Sequence, residues 1–163
     1  MKLRKFIYNK VTSTNDIAIK KIKSGITNGI IVANIQTKGR GRYGKHWQSF
    51  KENLFVTIFF ELKNKINIKD FTLKNCIIIK ALLKMIIKKE IIIKQPNDLI
   101  INKSKICGIL QEILKINNKR IVLIGIGINI SSSPYVNGYK TAFVNQYIKK
   151  KITKDVLFNF LKK

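Results

Sequence analysis

Cysteine is scarce: Cys76 and Cys107 are the two thiols in 163 residues. They show neither CxxC spacing nor the density of a disulfide-framed secreted domain, so no disulfide or cysteine-built metal site is expected and both thiols are read as buried, reduced and inert. Two prolines and no Pro/Gly-rich stretch leave no marked linker. No apolar run approaches the roughly 18 residues that span a bilayer, because lysines interrupt even the isoleucine-rich stretch 76–93. Residues 1–9 are basic but lack a signal-peptide apolar core and a small-residue cleavage site. A cytoplasmic chain without membrane contact is the expectation. Acid is also scarce, with eight Asp and Glu against 33 Lys and Arg, a net charge of +25. That surplus invites a polyanion partner. The lysines are spread over nearly every segment, however, and no helix-turn-helix, zinc-finger or aromatic RNA-binding pattern accompanies them, so the excess reads as compositional drift and no specific nucleic-acid partner is expected. What is present is enough for a core: 45% of residues are hydrophobic, and the length suits a single domain over 1–163.

Arginine is scarcer still than acid, which makes its placement informative. Only four occur, Arg4, Arg40, Arg42 and Arg120, against 29 lysines. Two of the four share the segment Gly39-Arg40-Gly41-Arg42-Tyr43-Gly44-Lys45-His46-Trp47. Glycine lets a backbone approach a ligand, and guanidinium offers a planar fork matched to carboxylate or phosphate oxygens. The segment therefore reads as a loop that closes over a small anion. Its glycines and arginines carry little apolar anchorage, so it is expected to gain order when a ligand arrives.

Strand and helix patterns alternate along the chain. Residues 4–8 read as a strand, and Thr12-Ser13-Thr14-Asn15-Asp16 offers cap side chains to a helix ending near Gly25. Residues 30–35 form a buried-type strand leading into the loop, and 53–61, apolar on both faces, a central strand. Residues 70–89 have the length of the main core helix. Short β-branched runs at 90–94, 99–101, 106–114 and 121–128 predict a meander, and 155–161 a closing helix.

Two further constellations carry polar chemistry. Lys94-Gln95-Pro96-Asn97-Asp98 is a turn in which Pro96 steers its predecessor away from helix. Asp98, one of few acids and flanked by Lys94 and Lys105, suits placing a Mg²⁺ with its phosphates or accepting a proton from an attacking amine. An ordinary Asx turn is the plainer alternative. Gly125-Ile126-Gly127-Ile128-Asn129 alternates small and large residues, as a strand does where another group comes close.

Taken in order, Ser13-Thr14-Asn15, Gln36 through Trp47, Asn53-Leu54, Lys94 through Asp98, Lys105 with Gly108-Ile109-Leu110, and Gly125 through Asn129 resemble the motifs of a biotin protein ligase over roughly residues 5–130. The resemblance implies an α+β fold: a mixed, mainly antiparallel sheet with helices packed on it, of the class II aminoacyl-tRNA synthetase-like, biotin/lipoate ligase catalytic type. It implies ATP and Mg²⁺, with biotin as substrate, biotinyl-5′-adenylate as intermediate, and a lysine of a biotin carboxyl carrier protein, such as an acetyl-CoA carboxylase subunit, as acceptor.

By the same resemblance Arg42 meets the biotin carboxylate and the adenylate, Arg40 orders the loop and handles phosphate charge, and Lys105 bridges carboxylate and α-phosphate. Ser13, Thr14, Asn15, Gln36, Gly39 and Gly108 join the biotin site. Trp47, Asn97 and Asn129 serve the nucleotide, and Asp98 the metal or the amine. Ser13 and Thr14 could equally cap the first helix, Trp47 could be core, and His46 is given no catalytic role.

Gln95 departs from the tryptophan usual at that position, which bears on the packing under Asn97 and Asp98. The chain carries no DNA-binding extension before the motifs and no small β-barrel after them, so a repressor role is not expected, and a lowered rate and carrier affinity are. A homodimer is left open. Rival readings are a lipoate or octanoate transferase and a biotin-binding module without catalysis.

Overall fold

The computed structural model describes residues 3–161. Seven strands form one sheet in the order β1-β2-β3-β7-β6-β5-β4. They are β1 (Lys5–Val11), β2 (Gly29–Gln36), β3 (Leu54–Glu61), β4 (Ile92–Lys94), β5 (Asp98–Ile101), β6 (Ser104–Ile116) and β7 (Lys119–Ile128). β1 and β2 pair in parallel, joined by helix α1 (Thr14–Lys23), and every other pairing is antiparallel. Helices α2 (Ile68–Lys84) and α3 (Lys154–Leu161) complete the fold. This is the mixed, mainly antiparallel α+β architecture the motifs implied.

The meander β4 to β7 follows from two tight turns. Asn102 and Lys103 (φ 49° and 63°) and Asn117 and Asn118 (φ 46° and 60°) take the left-handed pairs that match the twist of two-residue hairpins. The second turn extends β6 and β7 beyond the apolar runs at 106–114 and 121–128. The main helix starts earlier and stops sooner than the expected 70–89. Asn67 caps it by accepting from the Lys69 N–H at 2.9 Å, and after Lys84 the chain turns so that Ile87 and Ile91 enter the core.

Strand alternation divides the sheet into two faces. Ile124, Ile126 and Ile128 join Leu54, Val56 and Ile109 in the main core under α2 and α3, with Leu83, Leu157 and Phe158. On the other face Phe59, Ile121 and Leu123 pack on Ala18 and Ile22 of α1. Gly125 and Gly127 follow on that second face, where the apolar filling gives way to a polar cleft. Among the described residues no helix is long and apolar enough to cross a membrane.

Candidate active site

The cleft has a volume of about 430 Å³ and lies over the glycine-paved part of β6 and β7. Its floor is bare because nothing larger fits. A Cβ on Gly127 would lie 2.7 Å from Trp47 Cε2 and Cζ2, and one on Gly108 would lie 2.7 Å from Cζ3 of the same ring. Gly108 and Gly127 are cross-strand partners, so the indole lies flat on a two-glycine platform. Gly125 makes room for Asn15, whose Oδ1 would be 2.5 Å from its Cβ. The Gly-Ile-Gly-Ile alternation thus serves both faces: isoleucines fill the core and glycines admit site residues.

Polar groups wall one end. Gln36 Oε1 accepts from Thr14 N–H at 2.8 Å and Thr14 Oγ1 at 3.1 Å. The Thr57 hydroxyl lies 2.8 Å from Thr14 Oγ1 and donates to Asn15 Oδ1 at 2.5 Å. Asn15 Nδ2 donates in turn to Glu112 at 2.6 Å. Ser13 stands at the N-cap of α1, but its side chain makes no cap hydrogen bond and lines the cleft.

The arginine loop closes the top. Arg40 is gripped bidentately by Glu112 at 2.8 and 2.9 Å, and its Nε lies 3.0 Å from Asp16 Oδ1. Burial opposes the Arg40 charge, but Glu112 and then Asp16 outweigh it and hold the guanidinium above its ordinary range. Within the loop Gly41 N–H donates to Lys45 O at 2.7 Å and Trp47 N–H to Gly39 O at 2.9 Å. The anchorage is therefore polar where the sequence suggested too little apolar contact. Arg42 is placed differently. Its Nη2 donates to the hydroxyl of exposed Tyr43 at 2.8 Å, and it has no ion pair among the described residues.

Lys105 and Asp98 hold the far side. Lys105 Nζ is 2.8 Å from Asp98 Oδ1, 5.1 Å from the Trp47 ring centroid and 5.6 Å from that of Tyr139. Asp98 and Gly108 are opposed in the β5/β6 pair. Asn97 pins the turn by donating to Ile109 O at 2.8 Å, while Ile109 N–H returns a bond to Asn97 O at 2.9 Å.

Ser13, Thr14, Asn15, Gln36, Arg40, Arg42, Trp47, Asn97, Asp98, Lys105 and Gly108 thus all line one cleft. Gly39 and Asn129 stand behind the lining. A Cβ on Gly39 would come within 2.4 Å of Trp47 O, so this glycine lets the loop fold back on itself. Asn129 is buried, donates from Nδ2 to Ala142 O at 3.1 Å, and leaves Oδ1 without a partner among the described residues. The motif reading passed over Glu112 and Thr57. Thr57 interrupts the apolar run 54–60 of β3, whereas Glu112 follows Gln111 in a strand that also carries Lys105 and Lys115 and gave no comparable signal.

The profile of the biotin/lipoate A/B protein ligase family matches residues 7–129. The bifunctional ligase/repressor BirA of Escherichia coli K12 is 30% identical over 124 residues, covering 74% of this chain and 39% of BirA. The chain thus spans about two fifths of the length of such curated relatives. Among solved structures, the biotin protein ligase of Leishmania major in complex with biotinyl-5-AMP superimposes with a TM-score of 0.81 at 26% identity, over 99% of this chain and 73% of that one. The Aquifex aeolicus biotin protein ligase in complex with biotin and ATP gives 0.81 at 25% identity, over 97% and 66%. With the ordered motifs converging on one cleft, this chain belongs to the biotin/lipoate A/B protein ligase family.

Proposed function

We propose that the chain is an ATP-dependent biotin protein ligase that forms biotinyl-5′-adenylate and passes the biotinyl group to a lysine of a biotin carboxyl carrier protein. The observation that carries this reading is the cleft itself. Hydrogen-bonding groups at Thr14 and Gln36 occupy one end, Lys105 and Asp98 face an indole wall at the other, and Arg42, with no ion pair among the described residues, stands on the loop above. The Leishmania and Aquifex neighbours, solved with biotinyl-5-AMP and with biotin and ATP, support the same choice of substrates.

The chemistry asks for this arrangement. A carboxylate oxygen must bond to the α-phosphorus while the bridging bond to the β-phosphate breaks and pyrophosphate leaves. Both reactants are anions, so positive charge already fixed in a partly dry cleft lowers the barrier. Lys105, held between Asp98 and the Trp47 face, supplies it where the two meet. Arg42 exchanges its Tyr43 hydroxyl for the biotin carboxylate. Thr14 and Gln36 take the ureido head, with Gln36 Nε2 free to exchange its long 3.3 Å bond to Ser49 for the ureido carbonyl. In the second step a lysine amine bonds to the acyl carbon, the acyl–phosphate bond breaks, AMP leaves, and Asp98 is placed to take the amine's proton. The loop over the mixed anhydride keeps water from it.

Among the described residues Asp98 is the single carboxylate lining the cleft, and Lys105 already pairs with it. Among the described residues no group of three His, Cys, Asp or Glu side chains converges. That donor set does not fit a protein-built metal cage, so Mg²⁺ belongs to the reaction as the counter-ion of ATP, held chiefly by phosphate.

ATP/pyrophosphate exchange with biotin, lipoate or octanoate supplied separately tests the reading. Biotin-dependent exchange that disappears in Arg42→Ala is the expected result. Exchange with lipoate or octanoate in its place would move the chain to the lipoyl side of the family, and biotin binding without exchange would make it a binding module.

A further inference from the structure

The side chain that fixes the arginine loop lies outside the motifs. Glu112 sits in the middle of β6, opposite Leu123 of β7, with its carboxylate turned toward α1 and the loop. Both of its oxygens are committed: Oε1 accepts from Arg40 Nη1 at 2.8 Å, and Oε2 accepts from Arg40 Nη2 at 2.9 Å and Asn15 Nδ2 at 2.6 Å. Arg40 Nε then meets Asp16 of α1 at 3.0 Å. The fork with which a guanidinium grips a carboxylate or phosphate is therefore already filled by protein.

Arg40 is also mechanically tied to Trp47. It bridges to His46 across the loop, and the neighbouring glycines bond to Lys45 and Trp47 at 2.7 and 2.9 Å. Whatever holds Arg40 consequently holds the indole on the Gly108–Gly127 platform, the wall against which Lys105 rests.

We infer that Glu112 is a positioning residue for the ligand loop: clamped between β6 and α1, Arg40 is a strut that seats Trp47, and Arg42 is the loop's guanidinium for the bound acid. The identity of that acid rests on the proposed function, whereas the mechanics of the clamp do not. Arg40 as a direct contact to substrate is the competing assignment, and it was the one implied by resemblance.

Trp47 is the only tryptophan in the chain, so its fluorescence reads the seating without any ligand. The test compares Glu112→Gln, which keeps the shape but removes the charge and turns one of the two accepting oxygens into an N–H donor, with Arg40→Gln, Arg40→Lys and the double Gln variant. Each single variant is expected to red-shift Trp47 emission in the ligand-free protein and to weaken biotin binding at least tenfold by calorimetry. The double variant is expected to lose no more than either single one, since both break one clamp. Arg40→Lys keeps the charge but cannot fork, so it is expected to behave as Arg40→Gln. It also guards against a Glu112 variant that fails to fold. Unmoved emission in Glu112→Gln and Arg40→Lys would overturn the assignment. So would an Arg40→Gln variant that loses tenfold more biotin affinity than Glu112→Gln, since Arg40 would then be touching substrate. A wild-type chain inactive with every acid would sink the proposed function while leaving the emission result standing.

Discussion

Replacing Gly127 by alanine puts a methyl group where the Trp47 ring now lies. The new carbon would stand 2.7 Å from Cε2 and Cζ2 and 3.0 Å from Nε1, whereas ordinary contact begins at 3.4 Å and extends to 4 Å. The ring must therefore lift by 0.7 Å (3.4 − 2.7) to 1.3 Å (4.0 − 2.7). Gly127 cannot retreat, because β7 is paired on one side to Phe55 and on the other to Gly108. The loop must give way. Overpacking of this kind costs about 1–3 kcal/mol, and a gap of 0.5–1 Å forfeits roughly a quarter to a half of each dispersion contact left behind. The loop carries that cost, so it appears as lost seating: roughly one to two decades in ligand affinity at about 1.4 kcal/mol per decade. Melting should move little. The assay is Trp47 emission combined with calorimetric titration of biotin. The indole Nε1 is buried without a hydrogen-bond partner among the described residues, and lifting the ring admits water to it, which shifts emission to the red. Unchanged emission and affinity in Gly127→Ala would refute the platform argument.

Asp98→Asn removes the charge paired with Lys105 and, on the proposed mechanism, the acceptor for the amine proton. Carrier transfer is expected to fall by about 10²-fold or more, within the usual range for a lost general base, and further than pyrophosphate exchange does. Equal losses in both half-reactions would confine Asp98 to orienting Lys105. Asn53 is buried and accepts from the N–H groups of Ile130 and Ser131 at 2.8 and 3.1 Å, so Asn53→Ala should cost about 1–3 kcal/mol by denaturant melts through the stranded donors. Burial pushes the Cys76 thiol up to about 11, with the Asp98 charge adding to it, and burial pushes Cys107 up as well. Neither thiol should react with a disulfide reagent at pH 8 in the folded chain. The folded state keeps these protons when the unfolded chain releases them, so their stabilisation is complete below the unfolded thiol pKa and is lost as pH rises from about 9 toward 11. Cys76→Ala with Cys107→Ala should flatten that decline in pH-dependent melts, and an unaltered slope would contradict it.

Legibility followed the range of the interactions concerned. The meander was readable because β-branched runs and turn residues are local signals, and the division of the sheet was half visible in Gly125-Ile126-Gly127-Ile128, whose alternation marks two faces without saying what lies on each. The end of α2 was less readable. Isoleucine and lysine continue past Lys84 with helical spacing, and the burial of Ile87 and Ile91 in a tertiary core ends the helix there.

The sequence by itself determined which segments supply the cleft: motifs such as Gly39 through Trp47 and Lys94 through Asp98 set residue types at fixed spacing, and those types dictate charge and backbone freedom wherever they fold. Only the tertiary structure decided which partners the two loop arginines take. Arg40 and Arg42 are chemically identical and two residues apart. Glu112, 72 positions along the chain from Arg40, takes one fork and leaves the other, because β6 and α1 meet over the sheet. Local spacing cannot encode that choice. It arises from the register that sets β6 against β7 and brings an otherwise unremarked carboxylate within 2.8 Å of the loop.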